Sequence, residues 1–234
     1  MFHIIRFTGI SSFIFLMLLA SACADSSGFS GRTYDTERPL VYPEVAKSRP
    51  KILAFGDSLT AGFGLAETES YPYLLQEKLR AEGFDYEVLN AGVSGDTTLG
   101  GLERIDWALE QENLEILILE LGANDLMRGI PVKTIELNLD RMIVKAKAKN
   151  VKILLCGMFA PPTAGADYQR EFMSIFPDLA TKHKVVYLPF LLEGIVLKRE
   201  MNQADGIHPN AAGTKIMTDN ILKELRPMLT NAER

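Results

Sequence analysis

Lys51-Ile52-Leu53-Ala54-Phe55-Gly56-Asp57-Ser58-Leu59-Thr60 is a short apolar run that turns abruptly small and polar. The apolar half suits a strand covered on both faces, and the Gly-Asp-Ser that follows suits a turn at its carboxyl end. Outward from this stretch the event repeats, with apolar runs rich in Val, Ile and Leu at 86–89, 115–121, 151–156 and 185–188. Helical stripes lie between them. Ser70 is placed to cap a helix with Pro72 in its first turn, Leu75 and Leu79 on one face and Gly83 as its stop. Leu102, Ile105 and Leu109 form a second stripe, Ile135, Leu139, Met142, Ile143 and Ala146 a third, and Leu222, Leu225 and Leu229 the last. Strand–helix alternation with right-handed crossovers predicts an α/β three-layer sandwich around a five-stranded parallel sheet.

Composition narrows the function. The chain has 234 residues, 47% hydrophobic and 24% charged, which is ordinary globular usage. Its net charge of −5 leaves no basic footprint for nucleic acid. Two cysteines cannot build a disulfide framework or a four-thiolate metal site, and Cys156, at the end of a buried strand, reads as a small core residue. Imidazole chemistry must choose among His3, His183 and His208.

In open parallel sheets ligands bind beyond the carboxyl ends of the strands. The first run is followed there by Gly56-Asp57-Ser58-Leu59-Thr60, the second by Asn90-Ala91-Gly92-Val93-Ser94-Gly95-Asp96, and the third by Gly122-Ala123-Asn124-Asp125. Asp205-Gly206-Ile207-His208-Pro209 precedes the last helix. These clusters should converge on one rim.

Ser58 is the candidate nucleophile, and a hydroxyl needs a base to take its proton. His208 is the candidate base, with Asp205 three positions earlier to accept from its Nδ1–H and Pro209 biasing it toward extended backbone. His183, in Lys182-His183-Lys184, reads as an exposed helix end. The backbone N–H groups of Ser58 and Gly95 and the Asn124 amide are candidate oxyanion donors. Asp57, Asp96 and Asp125 read as structural, bonding nearby backbone in turns.

Together these blocks resemble the SGNH, or GDSL, hydrolases: Gly56-Asp57-Ser58-Leu59 the first block, Gly95 the second, Gly122-x-Asn124-Asp125 the third and Asp205-x-x-His208 the last. The resemblance spans about residues 51–230. It is strongest to the bacterial acyl-CoA thioesterase I/lysophospholipase/arylesterase group, through Ser94-Gly95-Asp96-Thr97, Glu120-Leu121-Gly122, Leu188-Pro189-Phe190 and Asp205-Gly206-Ile207-His208-Pro209-Asn210. It implies a flavodoxin-like fold with no metal and no cofactor. It also implies a serine esterase or thioesterase acting on small acyl substrates, with Ser58, His208 and Asp205 as nucleophile, base and orienting acid and with Ser58, Gly95 and Asn124 forming the oxyanion hole. Ala123 departs from the second glycine common in that group. Leu126, Met127, Ile130 and Pro131, with Met158, Phe159, Ala160 and Pro161, are candidates to line an acyl groove.

Other readings fit less well. A dinucleotide fingerprint fails because Glu67 stands where Gly62-x-Gly64 needs its third glycine, and an α/β-hydrolase elbow fails because Thr60 replaces its second glycine. A non-catalytic binding lipoprotein would not need Ser, Asp, His and Asn together. A carbohydrate O-deacetylase on the same fold stays open.

Residues 1–24 read as an export signal: Arg6, then an uncharged stretch centred on Phe13-Ile14-Phe15-Leu16-Met17-Leu18-Leu19-Ala20, then small residues. Leu19-Ala20-Ser21-Ala22-Cys23 resembles a bacterial lipobox, making Cys23 a candidate for lipidation and membrane attachment, while cleavage after Ala22 or Ala24 stays open. Residues 25–50 read as a solvated tether and 51–234 as the hydrolase domain. The expected location is the periplasm. If the chain is lipidated in a Gram-negative cell, Ala24 after the cysteine points to the outer membrane.

Overall fold

The computed structural model describes residues 48–230. The export signal with Cys23, most of the tether, and His3 lie outside the described residues.

The five strands are β1 (Lys51–Gly56), β2 (Glu87–Gly92), β3 (Leu114–Glu120), β4 (Lys152–Cys156) and β5 (Val186–Leu188). All pair in parallel, in the order β2-β1-β3-β4-β5. That is the flavodoxin-like order, whose winding reverses between β1 and β3. The loops leaving those two strands carry Ser58 and Asn124.

Among the described residues seven α-helices flank the sheet: α1 (Ser58–Ala61), α2 (Tyr71–Ala81), α3 (Thr98–Ala108), α4 (Ala123–Met127), α5 (Val132–Ala148), α6 (Ala166–His183) and α7 (Ala211–Leu225). On one side of the sheet α3 packs on α5 and α5 on α6; on the other, α2 packs on α7. Leu75 and Leu79 of α2, Ile105 of α3, and Ile135, Leu139, Met142, Ile143 and Ala146 of α5 are wholly buried, as their spacing predicts. Coverage on both faces holds for β1, β3 and β4 but not for β2, which has no fully buried residue because it forms an edge of the sheet.

Two local expectations are corrected. Ser70 does precede α2, but its hydroxyl turns back to donate to the Glu67 carbonyl at 2.7 Å instead of capping the helix. His183 ends α6 as expected, yet its imidazole is largely covered and its Nε2 lies 2.6 Å from Asp140. Burial pushes the Asp140 carboxyl up, but the bonds from Lys182 and His183 outweigh it and hold the group below its ordinary value.

Candidate active site

Four segments converge at the carboxyl edge of the sheet. β1 ends at Gly56, Asp57 caps α1 by accepting from Leu59 N–H at 3.0 Å, and Ser58 opens that helix. Gly62, at φ +76°, ends α1 after a single turn. The segment that precedes α7 brings Asp205 and His208. Asn210 holds its far end by capping α7 at Ala212 and Gly213 N–H (3.0 and 3.1 Å).

His208 Nε2 lies 2.9 Å from Ser58 Oγ, across 150 positions of sequence, and its Nδ1 lies 2.7 Å from Asp205 Oδ2. Asp205 Oδ1 also accepts from the Ile207 and His208 N–H groups at 2.9 and 3.0 Å. The side-chain bond to His208, then these two backbone bonds, hold the Asp205 carboxyl down to about 2. An ionised carboxylate only accepts, so the imidazole proton sits on Nδ1 and Nε2 is left to accept from the Ser58 hydroxyl.

Gly95 stands third in a turn closed by Asp96 N–H to the Val93 carbonyl (3.1 Å), at φ +81°, where only glycine is unstrained. Its carbonyl accepts from Arg128 at 2.9 Å, which ties this loop to the end of α4. The Ser58 and Gly95 N–H groups have no acceptor among the described residues. Asn124 is buried in α4, and its amide donates to Asp57 Oδ2 at 3.0 Å. One of its two N–H bonds is thus anchored beside Ser58 and the other has no acceptor among the described residues. Gly122 takes φ +127° before α4, while Ala123 lies in the helix and outside the positive-φ set, so no second glycine is needed there.

The three acidic neighbours do more than hold turns. Asp125 accepts from Thr98 N–H and Oγ1 at 2.8 and 2.6 Å, and Asn138 donates to the same hydroxyl at 3.1 Å, joining α3, α4 and α5. Asp96 pairs with Arg104 at 2.8 Å. Arg104 went unread in the sequence: it also donates to the carbonyls of Ala91 and Gly56 (2.9 and 3.0 Å) and lies over Phe55, tying the ends of β1 and β2 together. Asp57 reaches both its own turn and Asn124, and burial pushes its carboxyl up to about 6.

Below Ser58 sits Glu120, wholly buried, its Oε2 accepting from Asp57 N–H at 3.1 Å and Thr60 Oγ1 at 2.7 Å. Gly56 makes room for it: a Cβ there would stand 2.3 Å from Oε2. Burial, with the nearby Asp57 charge, pushes the Glu120 carboxyl well up, which favours its neutral form. Only its place beside Leu121-Gly122 marked it in the sequence.

The proposed groove residues divide. Met158 and Ala160 turn into the core at 4% exposure each and present little surface to a groove. Leu126 and Ile130 are partly buried against the same core, and Pro131 and Pro161 are exposed. Met127 and Phe159 are open to solvent, Phe159 stacked on Phe190 at 4.2 Å. Three exposed apolar residues of the rim loops were missed: Phe63, Val93 and Ile207. Phe63 lies with its ring 4.8 Å from the His208 ring. Each is a lone apolar residue between small or polar neighbours, with no apolar run to mark it.

Residues 54–216 match the GDSL-like lipase/acylhydrolase family. The chain is 39% identical to Esterase TesA of Pseudomonas aeruginosa, across 76% of this chain and 89% of that protein. It is 36% identical to an arylesterase of Vibrio mimicus, across 77% and 90%. It is 34% identical to thioesterase 1/protease 1/lysophospholipase L1 of Escherichia coli K12, across 80% and 88%. Among solved structures, TesA matches with a TM-score of 0.74, covering 76% of this chain and 99% of that one. AlinE4, an SGNH-hydrolase family esterase, matches with a TM-score of 0.66 at 42% identity, covering 79% and 98%.

Proposed function

We propose that Ser58 is the nucleophile of this chain, which belongs to the GDSL-like lipase/acylhydrolase family and is a carboxylic ester hydrolase. Ser58 Oγ attacks the substrate carbonyl while His208 Nε2 takes its proton, and the Asp205 carboxylate steadies the imidazolium that forms. The negative charge that develops on the carbonyl oxygen is met by the N–H groups of Ser58 and Gly95 and the free N–H of Asn124. His208 then passes its proton to the departing alcohol or thiol, leaving an acyl-enzyme on Ser58. Water, activated by the same imidazole, releases the acid. The observation that carries this reading is the pair of contacts at 2.9 and 2.7 Å on the two nitrogens of one ring.

The substrates we assign are aryl esters, acyl-CoA thioesters and lysophospholipids. The names of the relatives support this range. So does the exposed apolar rim of Phe63, Met127, Phe159 and Ile207, which suits an acyl chain better than a sugar. Turnover of p-nitrophenyl esters from acetyl to palmitoyl, beside acyl-CoA and lysophospholipid, tests the assignment, with Ser58→Ala as the inactive control. Activity confined to acetyl esters would favour a carbohydrate O-deacetylase instead.

Export to the periplasm, with a lipid on Cys23, belongs to the same proposal and rests on the sequence of the first residues. Among the described residues no helix is long and apolar enough to cross a membrane. Mass spectrometry of the mature N-terminus tests the anchor: a chain beginning at unmodified Asp25 sinks it.

A further inference from the structure

The contact between Ser58 and His208 depends on how the Asp205–His208 turn is seated on the segment that carries the nucleophile. Gln203 touches both. Its Nε2 donates to the Phe63 carbonyl at 2.7 Å and to the Pro209 carbonyl at 3.0 Å, which uses both amide protons. Its backbone N–H donates to the His208 carbonyl at 2.8 Å, and its own carbonyl accepts from Gly206 N–H at 3.0 Å. On the other side, Phe63 N–H donates to the Ser58 carbonyl at 3.0 Å. One side chain therefore bonds Phe63, whose N–H donates to the Ser58 carbonyl, on one flank and the residue after the base on the other.

The approach is prepared by Gly64. It adopts φ +73°, and a Cβ there would stand 2.2 Å from Gln203 Oε1, so a residue without a side chain is required for the amide to enter. We infer that Gln203 is a positioning residue that locks the His208 turn onto the Ser58 segment and so holds Nε2 within reach of Oγ. The inference rests on the reading of Ser58 and His208 as nucleophile and base. It needs an amide in particular: two carbonyls face the side chain, so a group without N–H bridges neither and leaves them to solvent, and a carboxylate repels them. Misplacement of a reacting group by about 1 Å can cost a hundredfold.

Gln203→Met keeps the length and removes both donors. We expect kcat on p-nitrophenyl acetate to fall about 10- to 100-fold, with KM within twofold and the urea midpoint close to the parent's. Gln203→Glu adds a readout that a merely structural role would not move. Once protonated, its carboxyl regains one donor, so its kcat relative to the parent should rise as the pH is lowered from 8 to 5, while that of Gln203→Met should not. A folded Gln203→Met with the parent's kcat, or one that changes KM alone, overturns the inference, as does a Gln203→Glu ratio that stays flat with pH. Ser58→Ala run alongside separates the two ideas: parental turnover in that variant refutes the nucleophile, whereas an inert Ser58→Ala beside an unimpaired Gln203→Met refutes only the clamp.

Discussion

Asp57→Asn should make the protein less dependent on pH for its stability and, at once, a poorer catalyst. The side chain is 1% exposed, and burial above all raises its carboxyl from 3.8 to about 6, against the opposing pull of Leu59 N–H, the His208 charge and the Asn124 amide. Unfolded, the group gives up its proton near 3.8; folded, it keeps it until about 6. Between those values the folded chain binds the extra proton, so stability falls as the pH rises through that window and stays lower above it. A gap of about two pH units at about 1.4 kcal/mol each amounts to about 3 kcal/mol. Asparagine cannot ionise, so the unfolding free energy of the variant relative to the parent should improve by about that much between pH 4 and pH 7.5. Its carbonyl can still accept from Leu59 N–H, but its amino group then faces the Asn124 amino group, and Asn124 loses its anchor. We therefore expect kcat to fall about a hundredfold, toward the loss of an oxyanion donor. Urea titrations at several pH values should be followed by far-ultraviolet circular dichroism, because the single tryptophan, Trp107, is 68% exposed and reports folding poorly. Parallel stability curves for variant and parent would refute the burial argument, and an undiminished kcat would refute the anchoring of Asn124 by Asp57.

The other expectations are briefer. Asp205→Asn should lower kcat about 10⁴-fold by releasing the imidazole tautomer, measured on a soluble ester. Asn124→Ala should cost about 10²–10³-fold, in kcat and not in KM, since it removes a donor needed only in the transition state. Glu120→Gln should keep most of the parental kcat, because burial favours the neutral form of the acid and glutamine still accepts from Asp57 N–H and Thr60 Oγ1; Glu120→Leu strands both buried donors and should lower stability by about 2–3 kcal/mol in urea titration. His183→Ala should leave kcat unchanged and cost about 1 kcal/mol of stability through its pair with Asp140.

What could be read from the sequence depended on whether a residue acts through its neighbours along the chain. β1, β3 and β4 were plain because they lie in the middle of the sheet and are apolar on both faces. The partial exposure of β2 was not, because a strand's place at an edge follows from topology and not from its own residues. Ser58, Asp205 and His208 stood out because each sits in a compact polar block after a strand or before a helix, and Asp205 and His208 share one turn. Arg104, Arg128 and Gln203 did not stand out. Each works by reaching a backbone carbonyl on a distant segment, and a carbonyl has no signature in sequence. The burial of Met158 and Ala160 was not legible for a related reason: a loop that leaves a strand alternates between rim and core, and the direction of each side chain is settled only when the loop is folded.

The separation of Ser58 from His208 by 150 positions has a consequence for when chemistry can begin. The serine, the Gly95 turn and Asn124 all belong to the first half of the sheet to be synthesised, whereas the imidazole arrives just before the last helix. On the proposed roles, a chain cut short before His208 has no base for Ser58, however much of the sheet it has formed.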